Sequence, residues 1–201
     1  MRLYTIERKS IKEVFDIRNG YTPSKSNNEY WENGTIPWFK MEDLREKGNI
    51  LSKANQYVNK KGIKGKEFPE NSIILATSAT IGEHALITEK FLANQRFTCF
   101  MLKDEFKQNF SIKFIYYFFF KIDEWCKKNM KISNFPSVDV EQIKELKFPL
   151  PPLPVQEHIV NILDKFETLV NDVKEGLPQE IEQRQKQYEY FREKLLTFPK
   201  E

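Results

Sequence analysis

The chain has 201 residues, 30% of them charged, and a net charge of +3, which fits one globular unit of about 150 residues with an appended arm. Its longest apolar run, residues 114–120, falls far short of the roughly 20 residues that cross a bilayer, and the charged start (Arg2, Glu7, Arg8, Lys9, Lys12) lacks a secretory apolar segment, so no membrane contact and a cytoplasmic setting are expected. Cys99 and Cys126 have no Cys-x-x-Cys spacing and His84 and His158 stand apart, which excludes an evident metal site and leaves two reduced thiols and structural or surface histidines.

In chain order, the first 150 residues read as short strands punctuated by turns. Residues 13–17 and 72–77 are strand candidates, bounded by Asn19-Gly20 and by Pro69-Glu70-Asn71, and 85–87 and 97–102 add two more. Ile112, Ile115, Tyr116, Phe119, Ile122 and Cys126 follow helical spacing, which predicts a helix within 111–129 packed across the sheet. Asn134-Phe135-Pro136-Ser137 then breaks the chain, 140–146 suit a helical turn, and Phe148-Pro149-Leu150-Pro151-Pro152 reads as an extended linker. The fold class expected is mixed α+β, with a head over 1–150 and a helical arm over 151–201. The head holds 25 Lys and Arg against 19 Asp and Glu, and the arm holds 7 against 10. Such asymmetry suits a head that meets phosphate and an arm that meets protein.

In the arm, Val155, Ile159, Ile162, Phe166, Leu169 and Val173 recur at alternating steps of four and three, the seam of a helix that packs on another helix. Gly176-Leu177-Pro178 interrupts it, and Pro178 fits the first position of a new helix, so a kink or short break is expected there. Beyond it Ile181, Tyr188 and Leu195 fall seven apart, with Phe191 and Phe198 between. A seam continuing through the break would make an arm of roughly 66 Å. The chain has no Gly-x-Gly-x-x-Gly, no Gly-Lys-Ser/Thr loop, no His-Glu-x-x-His and no Asn-Pro-Pro-aromatic motif, so no catalytic residue, metal ligand or cofactor site is assigned to it.

Pro149-Leu150-Pro151-Pro152-Leu153, the run from Gln156-Glu157-His158-Ile159 to Asp164, and Gly176-Leu177-Pro178-Gln179-Glu180-Ile181 resemble one family. Gly20-Tyr21-Thr22-Pro23-Ser24-Lys25, Tyr30-Trp31, Ile36-Pro37-Trp38, Ala79-Thr80-Ile81-Gly82 and Asn94-Gln95 match it independently. The family is the specificity (S) subunit of type I restriction-modification enzymes, and the chain resembles a half-length form, with one target-recognition domain and one conserved helical region. The resemblance implies double-stranded DNA as ligand. It also implies methyltransferase (M) subunits that bind S-adenosylmethionine and a restriction (R) subunit that uses ATP and Mg. The arm seam, without a second arm in the chain, points to a homodimer through Val155, Ile159, Ile162, Phe166, Leu169, Val173, Ile181, Tyr188 and Leu195. The same features fit a coiled-coil protein-interaction adaptor without DNA specificity, which salt-sensitive duplex binding would separate.

For DNA contact, residues 48–66 contain Lys53, Lys60, Lys61, Lys64 and Lys66 and no acidic residue. Such lysines neutralise phosphates or simply solvate a loop. Thr77, Ser78 and Thr80 form a hydroxyl-rich turn that suits either phosphate and base-edge contacts or plain turn chemistry. Arg96 has the fork that reads guanine or pairs with a carboxylate. Lys25 and Lys40 flank the Thr22-Pro23-Ser24 turn and Trp38, while Trp31 and Trp38 suit core packing better than base stacking.

Overall fold

The computed structural model describes residues 6–131, 135–173 and 178–198, of which 171–173 and 178–181 are described by their backbone alone. Chain order runs β1 (Glu7–Ser10), α1 (Ile11–Val14), β2 (Phe15–Asn19), β3 (Ile36–Phe39), α2 (Met41–Lys47), β4 (Ile50–Leu51), β5 (Tyr57–Val58) and β6 (Ser72–Ala76). It continues through β7 (His84–Ile87), β8 (Leu92–Ala93), β9 (Phe97–Leu102), α3 (Ile112–Asn129), α4 (Val140–Glu145), β10 (Lys147–Leu150), α5 (Leu153–Val173) and α6 (Pro178–Leu196). The mixed α+β class and the expected α3 and β9 are observed, whereas the strand expected at 13–17 starts two residues later because 11–14 close a helical turn.

The central sheet has the order β2-β9-β6-β7-β4, with β6 antiparallel to both β7 and β9. Side chains alternate across a strand, and β6 shows the consequence. Ile73 and Leu75 join the core on the α3 side, while Ile74 and Ala76 join the cluster on the other face, built on Phe39, Leu44, Phe68 and Phe91. That second face carries α2 and a three-stranded sheet of order β5-β3-β8. A strand covered on both faces needs a continuous apolar run, which is what 73–76 provide. Across the first face, residues 114–119 of α3 are all buried, since the sheet covers one side of the helix and α5 with α6 cover another.

His84 on β7 is tied to α3 from both ring nitrogens. Its Nδ1 lies 2.5 Å from the Asp123 carboxylate and its Nε2 lies 3.0 Å from the Tyr116 carbonyl. The pair is buried among Tyr116, Phe119 and Phe120, and removing one partner leaves a buried polar group without its hydrogen bond, which costs about 1–3 kcal/mol.

Two expectations change. Residues 148–150 are extended, but as strand rather than free linker: β10 pairs antiparallel with β1, from Glu7 opposite Leu150 to Ser10 opposite Lys147. Phe148 is fully buried against Phe15, Phe110 and Phe118, with ring centroids 5.5, 5.2 and 4.5 Å away. The arm is helical and a new helix does begin at Pro178, yet that helix runs back along the first, while Gly176 and Leu177 of the expected break lie outside the described residues. Phe166 and Phe191 would stand about 37 Å apart along one straight helix, but their rings stack at 5.1 Å. The arm is therefore a helical hairpin. Its first helix is anchored to the head by Gln156, whose buried amide accepts from the Ser111 N–H at 2.9 Å and donates to the Asn109 and Pro151 carbonyls, both at 2.8 Å. Asp164 extends that contact, meeting Lys113 Nζ and the Tyr117 hydroxyl at 2.6 Å each. The returning helix lays the Arg192 guanidinium 4.3 Å from the Phe120 ring centre, and Arg8 donates to the Phe198 carbonyl at 2.9 Å.

The reversal divides the arm seam. Ile159, Phe166, Tyr188 and Leu195 pack into the core shared with α3, within this chain. Val155 and Leu169 remain 42% and 45% exposed, and Ile162, between them on the same line, is half-buried. The side chains of Val173 and Ile181 lie outside the described residues.

Candidate nucleic-acid interface

Strand directions bring four connections to one end of the central sheet. The antiparallel β2, β9 and β6 put Asn19, Phe97 and Ala76 at the same edge. Gly20 leaves β2 there, donating to the Phe97 carbonyl at 2.9 Å, and Tyr21 donates to that of Ala93 at 2.7 Å. A Cβ on Gly20 would meet the Ala93 and Asn94 carbonyl oxygens at 2.4 and 2.3 Å, so only glycine permits this approach. The Thr22 hydroxyl then reaches the Gln95 side chain, and Asn94 Oδ1 accepts from the Arg96 N–H at 2.9 Å. Thr77 N–H donates to the Arg96 carbonyl at 3.1 Å, which joins the 77–82 turn to the 94–96 turn.

A fourth connection follows α3. Ala79 N–H donates to the Pro136 carbonyl at 3.0 Å, Val138 N–H to the Thr77 carbonyl at 2.9 Å, and Ser137 bridges both Ser78 and Lys131. Gly82, at φ +72°, lies under the Lys127 side chain: a Cβ there would meet the Lys127 Cγ at 2.8 Å. The C-terminal end of α3, with Lys127, Lys128 and Lys131, thus adjoins the 77–82 turn. Among the described residues, none of these three lysines, nor Arg96, has a carboxylate within 4 Å. An edge that joins four unpaired cations to the half-exposed Ser78 and Thr80 has the chemistry of a phosphate-binding surface.

The residues singled out from sequence divide across the molecule. Arg96 is exposed at this edge, Ser78 and Thr80 belong to its central turn, and Lys25, also exposed, lies three residues beyond Thr22, which reaches Gln95 there. Lys40 adjoins it, since Asn94 N–H donates to the carbonyl of the preceding Phe39 at 2.9 Å, and its own N–H is held by Asp43 at 2.9 Å. Thr77 is a correction: it is buried, and its hydroxyl meets that of Thr98 at 2.9 Å, which donates in turn to Asn19 Oδ1 at 3.0 Å. It ties three strand ends together and offers nothing outward.

The lysine loop is not gathered into one stripe. Lys53 follows β4 on the far side of the sheet, where its carbonyl accepts from Lys47 at 3.3 Å. Lys60 lines a cleft with Glu67, Glu70 and Glu89, and Lys61 is paired with Glu29 at 3.0 Å. Lys64 alone is tied toward the edge, its N–H donating at 2.7 Å to the Tyr21 hydroxyl, which donates to the Gly62 carbonyl at 3.3 Å. Burial pushes the Tyr21 phenol up, which keeps it a neutral donor. Trp38 is buried, with Trp31 edge-on at 5.2 Å, and both indole N–H groups donate to carbonyls, of Tyr21 and Ser24, at 3.0 Å. They are core residues.

Sequence reasoning missed Lys127, Lys128 and Lys131. The signal was present as a cationic run, but a helix C-terminus is an ordinary place for cations. Tertiary contacts join it to the 77–82 turn, through Gly82 under the Lys127 side chain and the β-bridges of Ser137.

A family model described as the type I restriction modification DNA specificity domain matches residues 5–183. The chain is 48% identical over 201 residues to the Escherichia coli EcoprrI type I restriction enzyme specificity subunit, covering 96% of this chain and 50% of that protein. It is 34% identical to the EcoR124I/EcoR124II specificity subunit of the same species, over 97% and 49% of the two chains. Among solved structures, the HsdS subunit of Thermoanaerobacter tengcongensis superposes with a TM-score of 0.64 at 16% identity, covering 95% of this chain and 44% of that one. The S subunit of M. genitalium gives 0.58 at 18% identity, over 87% and 43%. The chain spans about half the length of the curated relatives it matches. A match over most of the chain, with relatives and fold in agreement, makes it a member of the type I restriction-modification DNA specificity family.

Proposed function

We propose that this chain reads DNA sequence for a type I restriction-modification complex and carries no catalysis of its own. The observation that supports it best is the unpaired cationic edge of Arg96, Lys127, Lys128 and Lys131 around the Ser78 and Thr80 turn, in a chain of the specificity family. In this reading residues 1–150 are the target-recognition unit and 151–201 the arm. Methyltransferase subunits supply S-adenosylmethionine chemistry, and a restriction subunit supplies ATP- and Mg-dependent translocation and cleavage. The edge meets duplex phosphates, while Lys53, Lys60 and Lys61 contribute less than their number implies, because acidic neighbours surround two of them.

Two copies pair through the outer line of the hairpin, Val155, Ile162 and Leu169, which the chain leaves partly exposed. Two-fold pairing presents identical surfaces to two inverted half-sites across an unread gap. Methylome sequencing of cells that express this chain with its methyltransferase subunit tests the reading. The expected motif is gapped, with halves that are inverted repeats of one another. Two unrelated halves would mean that a different specificity chain completes the complex, and an unmethylated genome would reject the reading altogether.

A further inference from the structure

The cationic edge carries one side chain whose chemistry phosphate contact does not explain. Phe135 is 86% exposed, whereas the other phenylalanines of this chain are all buried or half-buried. Phe135 precedes Pro136, which confines it to extended geometry. Beyond it the chain is tied to the 77–82 turn by the Pro136 carbonyl, the Ser137 bridge to Ser78 and the Val138 N–H. Ser137 is bridged on its other side to Lys131, at the cationic end of α3. Phe135 thus stands exposed next to the stretch that ties the 77–82 turn to Lys131, on the edge whose cations suit a polyanion.

We propose that Phe135 is a wedge that presses on one base step of the bound duplex while Arg96, Lys127, Lys128 and Lys131 hold the flanking phosphates. The proposal rests on the DNA-reading function above and names a residue that sets its specificity. An apolar side chain pushed against a base step unstacks it, and pyrimidine–purine steps yield most easily. The wedge therefore confers a preference for such a step without any hydrogen bond to a base. The cations give affinity on every sequence, and the ring gives discrimination at one position.

The test uses the full chain, purified with its methyltransferase subunit, and a randomised 30-base-pair duplex library from which bound molecules are selected and sequenced. Wild type should return a consensus containing a pyrimidine–purine step. Phe135→Ala should return the same consensus with that step relaxed, and should bind the wild-type consensus duplex about tenfold more weakly. Its affinity for a scrambled duplex and its salt slope should be unchanged, and Phe135→Trp should restore the preference. A 2-aminopurine at the step should brighten on binding wild type and stay dim with Phe135→Ala. An unchanged consensus and affinity for Phe135→Ala would overturn the wedge while leaving DNA reading intact, as would an equal loss on the scrambled duplex. Wild type that selects no consensus would remove the DNA-reading function itself, and the wedge with it.

Discussion

Aspartate should have opposite effects on the two apolar lines of α5. Ile159 is 4% exposed in the core shared with α3 and α6, so Ile159→Asp buries an unpaired carboxylate and should unfold the arm. Ile162 and Leu169 lie on the outer line, and Ile162→Asp with Leu169→Asp should leave the fold intact and remove the dimer. Complete burial of such a side chain stabilises by about 1.5–3 kcal/mol. Val155 and Leu169 have 42% and 45% of their surface left to bury, so each contributes on the order of 1 kcal/mol at the contact. Two-fold symmetry uses each position twice, and the line contributes about 6 kcal/mol in total. Association costs at least about 4 kcal/mol in lost freedom, which leaves about 2 kcal/mol, a Kd in the range of tens of millimolar, so a dimer that forms at micromolar concentration needs further burial beside this line, and Tyr190 at 59% exposure on α6 is the nearest contributor. Deleting two of the three positions removes about 4 kcal/mol, a rise in Kd of roughly a thousandfold. Sedimentation velocity across about 1–100 μM reads the shift, with circular dichroism confirming helix content. A wild-type chain that stays monomeric at about 100 μM, or a double variant that dimerises as wild type does, would refute the assignment of this line.

Three further outcomes follow from particular contacts. Exchanging Lys127, Lys128 and Lys131 for Gln should weaken duplex binding alike on all sequences and reduce the salt slope by up to about three units, whereas the same exchange at Lys53, Lys60 and Lys61 should change the slope less; titrations at several salt concentrations compare them. Gln156→Ala leaves the Ser111 N–H and two carbonyls without their partner, each costing about 1–3 kcal/mol where water does not enter, and urea unfolding should report the loss. Burial pushes the Cys126 thiol up to about 12 and that of Cys99 up as well, so neither holds thiolate at pH 8; iodoacetamide should label neither in the folded chain and both in denaturant, and rapid labelling of the folded chain would contradict their burial.

The legible parts of the fold were those that local pattern determines. The 3.6-residue recurrence from Ile112 to Cys126 marks α3 because a helix between a sheet and a hairpin must be apolar on most of its circumference. Strand β9 was equally plain. What pattern cannot supply is the partner. Phe148-Pro149-Leu150 reads as a polyproline-like linker because its strand partner, β1, lies at the other end of the chain. The arm seam was real, but periodicity does not say which helix fills it, and the return of α6 along α5 gives half of it to the molecule's own core.

The same limit governs the nucleic-acid edge, where charge counted along the chain and charge gathered in space diverge. Lys60 and Lys61 dominated the sequence signal because no acidic residue falls among residues 48–66, yet Glu29, from the connection before β3, pairs with Lys61, and Glu67, Glu70 and Glu89 share a cleft with Lys60. Lys127, Lys128 and Lys131 looked like the ordinary cations of a helix C-terminus. They share the 77–82 turn with Arg96 because Gly82 lies under Lys127, Ser137 pairs with both Lys131 and Ser78, and the Thr77 N–H reaches the Arg96 carbonyl. A phosphate responds to the potential at its own position, which adds over neighbours in space and is cancelled by nearby carboxylates. Cations gathered at one turn therefore outweigh a longer run of lysines that is scattered and partly neutralised.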